Sequence, residues 1–234
     1  MEIRISASKS VLFLFSVLGL LFVGSIAMDY IGLNTGHWQL GGLVKLFNLD
    51  GDETLPTWFN SFLLFLLCIA TWTIARSGAS RTPCLRRGWK FLSFLFLVMS
   101  IDEVATLHEC LGRVFKTLWA AKGYFYFGFV IPGTVLAVAL FVAYLPFLRA
   151  LPRKLAFGMF GAGLIYVTGA AFVEALSANW YYLYGQKAAV YLLLANLEEL
   201  LEMTGLILFL HVLLDYLRSA EPGHEPVWHI RLGP

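Results

Sequence analysis

The sequence predicts an all-α integral membrane protein: a polytopic bundle of six transmembrane helices with both termini on the cytoplasmic side. Hydrophobic residues make up 59% of the 234 residues, charged residues only 14%, and the mean hydropathy is +0.74. A water-soluble protein of this size could not hide so much apolar surface. The composition therefore excludes a soluble globular domain. The length of the apolar runs predicts the number of helices, and the basic residues between them predict the orientation.

Six apolar runs have about the 20 residues that an α-helix needs to cross a bilayer. They cover residues 11–31, 58–75, 89–111, 124–148, 155–182 and 188–217. The first run could instead be a signal peptide, because Arg4 and Lys9 precede it and a small-x-small pattern ends at Ala27. It is longer than the h-region of such peptides, about 7–15 residues, which favours a first transmembrane helix. Residues 1–218 are thus expected to form one bundle and residues 219–234 a short cytoplasmic tail.

The distribution of basic residues predicts the orientation. With the N-terminus inside, twelve of the seventeen Lys and Arg residues fall on the cytoplasmic side and five on the other, as the positive-inside rule requires. The net charge is only +2 and the basic residues form no stripe, so nucleic acid is not an expected partner. The loop before residue 58, which carries Asp50 and Asp52, is then expected outside.

Acidic residues inside the apolar runs are the most informative feature of the sequence. An ionised residue at the centre of a bilayer costs about 2.5–3.5 kcal/mol, so six unpaired carboxylates would cost on the order of 15–20 kcal/mol. They are therefore expected to face one another or a shared cavity rather than lipid. The six lie in the third, fifth and sixth runs: Asp102, Glu103, Glu174, Glu198, Glu199 and Glu202.

Depth and helical phase predict that these acids form one cluster. At 1.5 Å per residue the three groups overlap in depth, in the middle to outer part of the bundle. On a regular third helix Asp102 and Glu109 share a stripe, whereas His108 lies about 120° away and joins them only if the helix is distorted. In the sixth run, Glu198, Glu199 and Glu202 fan over about 100° and can address one volume.

Small residues in the fifth run are expected to let that helix approach its neighbours closely. Gly and Ala thin the surface of membrane helices and so allow close packing of backbones. Such packing would bring Glu174 within reach of the third and sixth helices. The small residues concerned are Gly158, Gly161, Ala162, Gly163, Gly169, Ala170 and Ala171.

The leading functional hypothesis is a metal-dependent membrane enzyme. Carboxylates suit hard cations, and iron, manganese or zinc are expected when an imidazole joins them. Glu103 and Glu199 are then the candidates for general base, and a lipid or isoprenoid substrate is expected because the site is reached most easily from the membrane. The predicted ligands of the divalent metal are Asp102, His108, Glu109, Glu174, Glu198 and Glu202.

Two other functions remain open at this stage. Intramembrane acids also mark proton and cation pathways, so the chain could be a transporter, for which a homodimer is expected. Buried polar groups can also join helices, in which case the chain would be a subunit or scaffold of a complex with a partner membrane protein. In each case the expected location is the plasma membrane, which is the inner membrane if the protein is bacterial, in contact with membrane lipid.

Overall fold

The computed structural model describes residues 7–77 and 82–220, and every element of regular secondary structure in that part of the chain is a helix. A short 3-10 turn, Leu40–Gly42, precedes α2, and a π-helical segment, Thr168–Val173, joins α7 to α8. The α-helices are α1 Ala7–Thr35, α2 Leu43–Phe47, α3 Leu55–Arg76, α4 Pro83–Ala105, α5 Leu107–Trp119, α6 Val130–Ala150, α7 Arg153–Val167, α8 Glu174–Tyr184 and α9 Ala189–Ala220.

Five segments of the described chain are long and apolar enough to cross a membrane. They are Ser8–Thr35, Leu55–Arg76, Val130–Ala150, Arg153–Tyr184 and Ala189–Ser219. The pair α4 and α5 would be a sixth if its bent halves count as one span. The all-helical class and the apolar spans are thus confirmed. The orientation stays a prediction, and most of the predicted tail, residues 221–234, lies outside the described residues.

Helix α9 is the centre of the bundle and packs against α1, α3, α7 and α8. Its side chains Met203, Ile207 and Leu213 are fully buried and join the same apolar core as Leu67 of α3 and Trp89 of α4. Because α9 contacts four other helices, the acids that it carries lie inside the bundle and near more than one neighbouring helix.

Helices α3 and α4 form a closely fixed pair. Each begins with a threonine cap followed within two residues by proline, which favours helix initiation. Between the first half of α3 and the second half of α4, Ser61 and Ser100 each donate a hydroxyl to the other's backbone carbonyl at 2.9 Å. This reciprocal contact sets the register of the two helices just before Asp102 and Glu103.

The third apolar run is broken, which corrects the prediction of one helix over residues 89–111. Helix α4 ends at Ala105, Thr106 adopts a left-handed conformation (φ 50°, ψ 38°), and α5 continues at an angle of 72°. A β-branched residue is rarely left-handed. The break therefore depends on compensating contacts, which the side chain of Asp102 supplies.

The fifth apolar run also departs from a regular helix. Its segment Thr168–Val173 is π-helical, so the residues that follow are rotated relative to a continuous α-helix. A Cβ atom at Gly169 would lie 2.7 Å from the backbone oxygen of Glu198, and one at Gly205 would lie 2.8 Å from the backbone nitrogen of Tyr166. Of the small residues predicted to thin this run, Gly158 and Gly169 lie in such close contacts, whereas Gly161 and Gly163 have no neighbouring atom within 4 Å.

Candidate functional site

The corner between α4 and α5 is built by Asp102 and His108. The backbone N–H of His108 donates to Asp102 Oδ1 at 2.9 Å, and the imidazole Nδ1 lies 2.9 Å from Asp102 Oδ2. Asp102 thus caps the start of α5, where Thr106 makes no side-chain cap bond. Because a carboxylate oxygen can only accept, Nδ1 donates and Nε2 is left as the free ring nitrogen.

Glu103 lies next to this corner and faces α3. Its carboxylate lies close to the side-chain amide of Asn60 and within electrostatic range of His108 and Asp102. Asn60 is buried. Helix α3, in which sequence reasoning found no candidate, therefore contributes a polar group to the cluster.

Glu174 and Glu198 meet at the contact between α8 and α9. The hydroxyl of Ser177 lies 2.9 Å from the Glu174 backbone oxygen and 3.1 Å from Glu198 Oε2, so both oxygens can accept from it. The two glutamates interact electrostatically, and His108 lies within range of Glu174. The π-helical segment ends immediately before Glu174 and sets the direction of its side chain.

Glu202 lies one turn further along α9 than Glu198. It lies close to the hydroxyl of Tyr166 of α7 and within electrostatic range of Glu103, Glu174 and His108. Glu199 interacts with Glu202, Glu198 and Glu103. We call the group formed by Glu103, Glu174, Glu198, Glu199 and Glu202, together with the Asp102–His108 pair, the carboxylate cluster.

The five glutamates of the carboxylate cluster are all partly buried. Within the described ranges, no Lys or Arg forms an ion pair with any of them. Among the described side chains that interact electrostatically with these glutamates, His108 is the only basic one. Their negative charge must therefore be balanced by bound protons or by a cation from outside.

Glu109 lies away from this arrangement. Its carboxylate accepts from Arg113 at 3.2 Å on the exposed face of α5. The predicted stripe with Asp102 assumed an unbroken helix, and the turn at Thr106 removes that relation. Both oxygens of Asp102, another predicted ligand, are engaged by His108.

Nowhere in the described part of the chain do three His, Cys, Asp or Glu side chains stand close enough together to hold a metal ion in this conformation. The three cysteines do not join the cluster: Cys68 contacts Ser93 of α4, and Cys84 and Cys110 are exposed. The donors available near the cluster are therefore oxygen atoms and the imidazole of His108.

A polar and aromatic layer lies beyond the cluster, toward the start of α9. Tyr191 donates to Asp50 Oδ2 at 2.5 Å, which ties the loop before α3 to α9. The ring of Tyr191 packs edge-on against Tyr181, which in turn stacks on Tyr126. Asp50 also lies within electrostatic range of Glu198, so this layer borders the cluster.

Asp50 gives the protein a pH-dependent stability that can be measured. Although the residue is exposed overall, protein atoms surround its carboxylate, and this desolvation raises its pKa to about 6. The folded state then holds the Asp50 proton more tightly than the unfolded state. Protonated Asp50 therefore contributes to the free energy of unfolding at pH 4, and this contribution is lost as the pH rises through 6. We expect Asp50→Asn, which cannot ionise, to gain stability relative to the wild type between pH 4 and pH 7 in thermal unfolding in detergent.

The matched control is Asp52→Asn, which removes a charge from the exposed side of the same loop. Its unfolding midpoint should run parallel to that of the wild type over the same pH range. Parallel curves for Asp50→Asn as well would show that the Asp50 carboxylate does not titrate in this way.

Several polar residues near the cluster were missed by sequence reasoning. Asn60 could have been noticed as an amide inside an apolar run. Tyr166, Tyr191 and Ser177 are residue types common in membrane helices and carry no local signal. Their roles follow from tertiary contacts, the longest of which joins residues 141 positions apart.

Comparison with known sequences and structures identifies one family. The model of a domain of unknown function, DUF8692, matches residues 11–217, which include every member of the carboxylate cluster. No curated protein and no solved structure matches the chain.

Proposed function

Because the chain belongs to the DUF8692 family, a family without a known function, we propose its function from the carboxylate cluster itself. We propose that the protein is a multi-pass membrane enzyme that binds a divalent metal ion, iron, manganese or zinc, and acts on a lipid or isoprenoid substrate. The proposed ligands are Glu103, His108, Glu174, Glu198 and Glu202.

The Asp102–His108 pair is the observation that carries this proposal. Histidines that bind metals almost always donate their second ring N–H to a carboxylate or a carbonyl, which fixes the tautomer and aims the other nitrogen at the ion. His108 has this arrangement. The carboxylates that interact with it electrostatically are those of Asp102, Glu103 and Glu174. In this proposal Asp102 orients His108 and is not itself a ligand.

The surplus of negative charge supports the same proposal. A divalent cation would balance two of the five glutamates, and the others would share protons or be displaced from the ion. Binding would have to draw the side chains together, because no three of them stand close enough to hold an ion in this conformation. Glu199, whose charged neighbours are all carboxylates, is then available as a general base, which is its predicted role.

The surroundings of the corner favour a substrate from the membrane. Val104 and Leu107, which lie between Asp102 and His108 in sequence, are 63% and 50% exposed. Such large apolar side chains beside an intramembrane site would face lipid acyl chains. We propose a plasma membrane location with both termini in the cytoplasm, and a homodimer or a further membrane subunit as partner.

A proton- or cation-coupled transporter is the second candidate. The observation that favours it is a series of interacting carboxylates from Asp50 in the loop to Glu198 and then Glu202 in α9. At 1.5 Å per residue, Glu202 lies about 16 Å along α9 from Tyr191, the partner of Asp50. Such a series could pass protons between the loop and the interior.

Metal content decides between the two candidates. We expect the detergent-purified wild type to hold iron, manganese or zinc in a stoichiometric amount by plasma mass spectrometry. Glu198→Gln and Glu174→Gln each remove one ionised ligand and should lose most of that metal. Glu109→Gln, in which the lost carboxylate pairs with Arg113 on the surface, should keep it.

Equal metal in the wild type and in both cluster variants would contradict the shared site. A wild type that remains free of metal after supplementation with all three ions would overturn the metal proposal and favour the transporter. Loss of metal in Glu109→Gln as well would show that the measured ion is bound elsewhere.

A further inference from the structure

The side chain of Asn60 has an oxygen atom with no visible partner. Asn60 is 1% exposed, and its Oδ1 has no hydrogen-bond partner among the described residues. Its side chain nevertheless borders the carboxylate cluster, since it lies close enough to Glu103 to interact with that carboxylate. A buried acceptor without a partner carries a free-energy penalty, and in native proteins it indicates a bound water or ion.

The backbone around Asn60 is held in place. The next residue, Ser61, exchanges hydrogen bonds with Ser100 of α4, and the start of α3 is fixed by Thr54, whose hydroxyl accepts from the Thr57 backbone N–H at 3.2 Å. The α3 backbone at Asn60 is therefore fixed against α4, and with it the position from which the buried side chain reaches Glu103.

We infer that Asn60 Oδ1 is a neutral oxygen ligand of the metal ion in the carboxylate cluster, and that this ion is Mn²⁺. The inference rests on the proposed function, and it deepens that proposal by adding α3 to the site and choosing one metal. With Asn60 the donors near the ion are four carboxylates, one amide oxygen and one imidazole.

The chemistry of this donor set favours manganese over zinc. Carboxylate and carbonyl oxygens suit Mn²⁺ in an octahedral site, whereas iron and zinc favour imidazole, of which this donor set has only one. Structural and catalytic zinc sites instead use three or four ligands, rich in nitrogen and sulfur. The cysteines lie outside the cluster, so no thiolate is at hand, and a four-coordinate Zn²⁺ would have no need of a sixth, neutral donor.

The test measures the binding of Mn²⁺ by electron paramagnetic resonance. Free Mn²⁺ in water gives a sharp six-line signal that fades when the ion is bound, so a titration of full-length protein in detergent yields an affinity. We expect Asn60→Leu to weaken Mn²⁺ binding about tenfold or more, the order of loss seen when a supporting group of a metal site is removed. Zn²⁺ affinity, measured by displacement of Mn²⁺, should change by less than about threefold in the same variant.

Two further variants keep the test independent of folding. Asn60→Asp preserves the shape and an oxygen donor, so it should bind Mn²⁺ at least as tightly as the wild type. Thr71→Val alters a fully buried polar residue about three turns further along α3, whose hydroxyl bonds only to its own helix. It should leave the affinity unchanged.

The outcomes separate the two proposals. Wild type that binds none of the three metals contradicts the proposed function. If Asn60→Leu binds Mn²⁺ as tightly as the wild type does, only the inference is overturned, and the partner of Oδ1 would then be a water molecule. An equal loss of Mn²⁺ and Zn²⁺ affinity in Asn60→Leu would overturn the choice of manganese. If Asn60→Leu fails to fold, weaker binding by Asn60→Asp than by wild type would contradict the inference.

Discussion

Substitution of Gly205 or Gly169 by alanine should destabilise the protein by about 1–3 kcal/mol in each case, the usual cost of overpacking a close contact. A Cβ atom at Gly205 would lie 2.8 Å from the Tyr166 backbone nitrogen and 2.9 Å from the Ala162 carbonyl oxygen. These neighbours are backbone atoms and cannot turn aside as a side chain would. Helices α7 and α9 would have to move apart, which would expose part of the buried side chains of Met203 and Ile207.

Gly169→Ala tests the same contact at the carboxylate cluster. Its Cβ would approach the Glu198 carbonyl oxygen to 2.7 Å and Glu202 Cγ to 3.1 Å. The new methyl group would therefore displace the α9 backbone that carries both glutamates. We expect Gly169→Ala to lower both metal content and stability. Gly205→Ala, which lies about one turn beyond Glu202 in α9, should lower stability more than metal content.

Gly161→Ala is the matched control, in α7, the helix against which Gly205 packs. No atom lies within 4 Å of its Cβ position, and alanine is a better helix former than glycine by up to about 1 kcal/mol. We expect it to be neutral or slightly stabilising when thermal unfolding is followed by circular dichroism in detergent. A loss of stability in Gly161→Ala similar to that in Gly205→Ala would show that the effect is general to glycine in these helices and not due to the contact.

The sequence predicted the spans and the acid-bearing helices because those features are local. Apolar runs of about 20 residues can be counted, and the depth of an acid follows from the rise of a helix. Glu174 of α8 and Glu198 of α9 do lie near each other in the structure. Whether the cluster binds a metal stays a proposal.

The break at Thr106 could not be predicted because nothing in its local sequence requires it. The residues around it, Val-Ala-Thr-Leu, include neither glycine nor proline, the usual signals for the end of a helix. Two hydrogen bonds to Asp102 compensate for the left-handed conformation, and such compensation is visible only in three dimensions. The same holds for the π-helical segment before Glu174.

Asp102 should be the most sensitive single residue of the corner, because it both caps α5 and orients His108. Asp102→Asn keeps an oxygen for the His108 backbone N–H but sets an amide N–H against the imidazole Nδ1–H. We expect His108 to change its tautomer or turn away, and metal affinity to fall about tenfold to a hundredfold. Asp102→Leu also removes the cap and should cost about a further 0.5–2 kcal/mol of stability.

The tautomer supplies a measurement that a merely structural role of Asp102 would leave unchanged. Nitrogen-15 chemical shifts of the imidazole distinguish a protonated Nδ1 from a protonated Nε2, and His108→Gln identifies the resonance among the five histidines. In wild type the proton should reside on Nδ1, and in Asp102→Asn this form should be lost, while Glu109→Gln should retain it. An unchanged His108 spectrum in Asp102→Asn would contradict the orienting role, because the bond to Oδ2 is what fixes the proton on Nδ1.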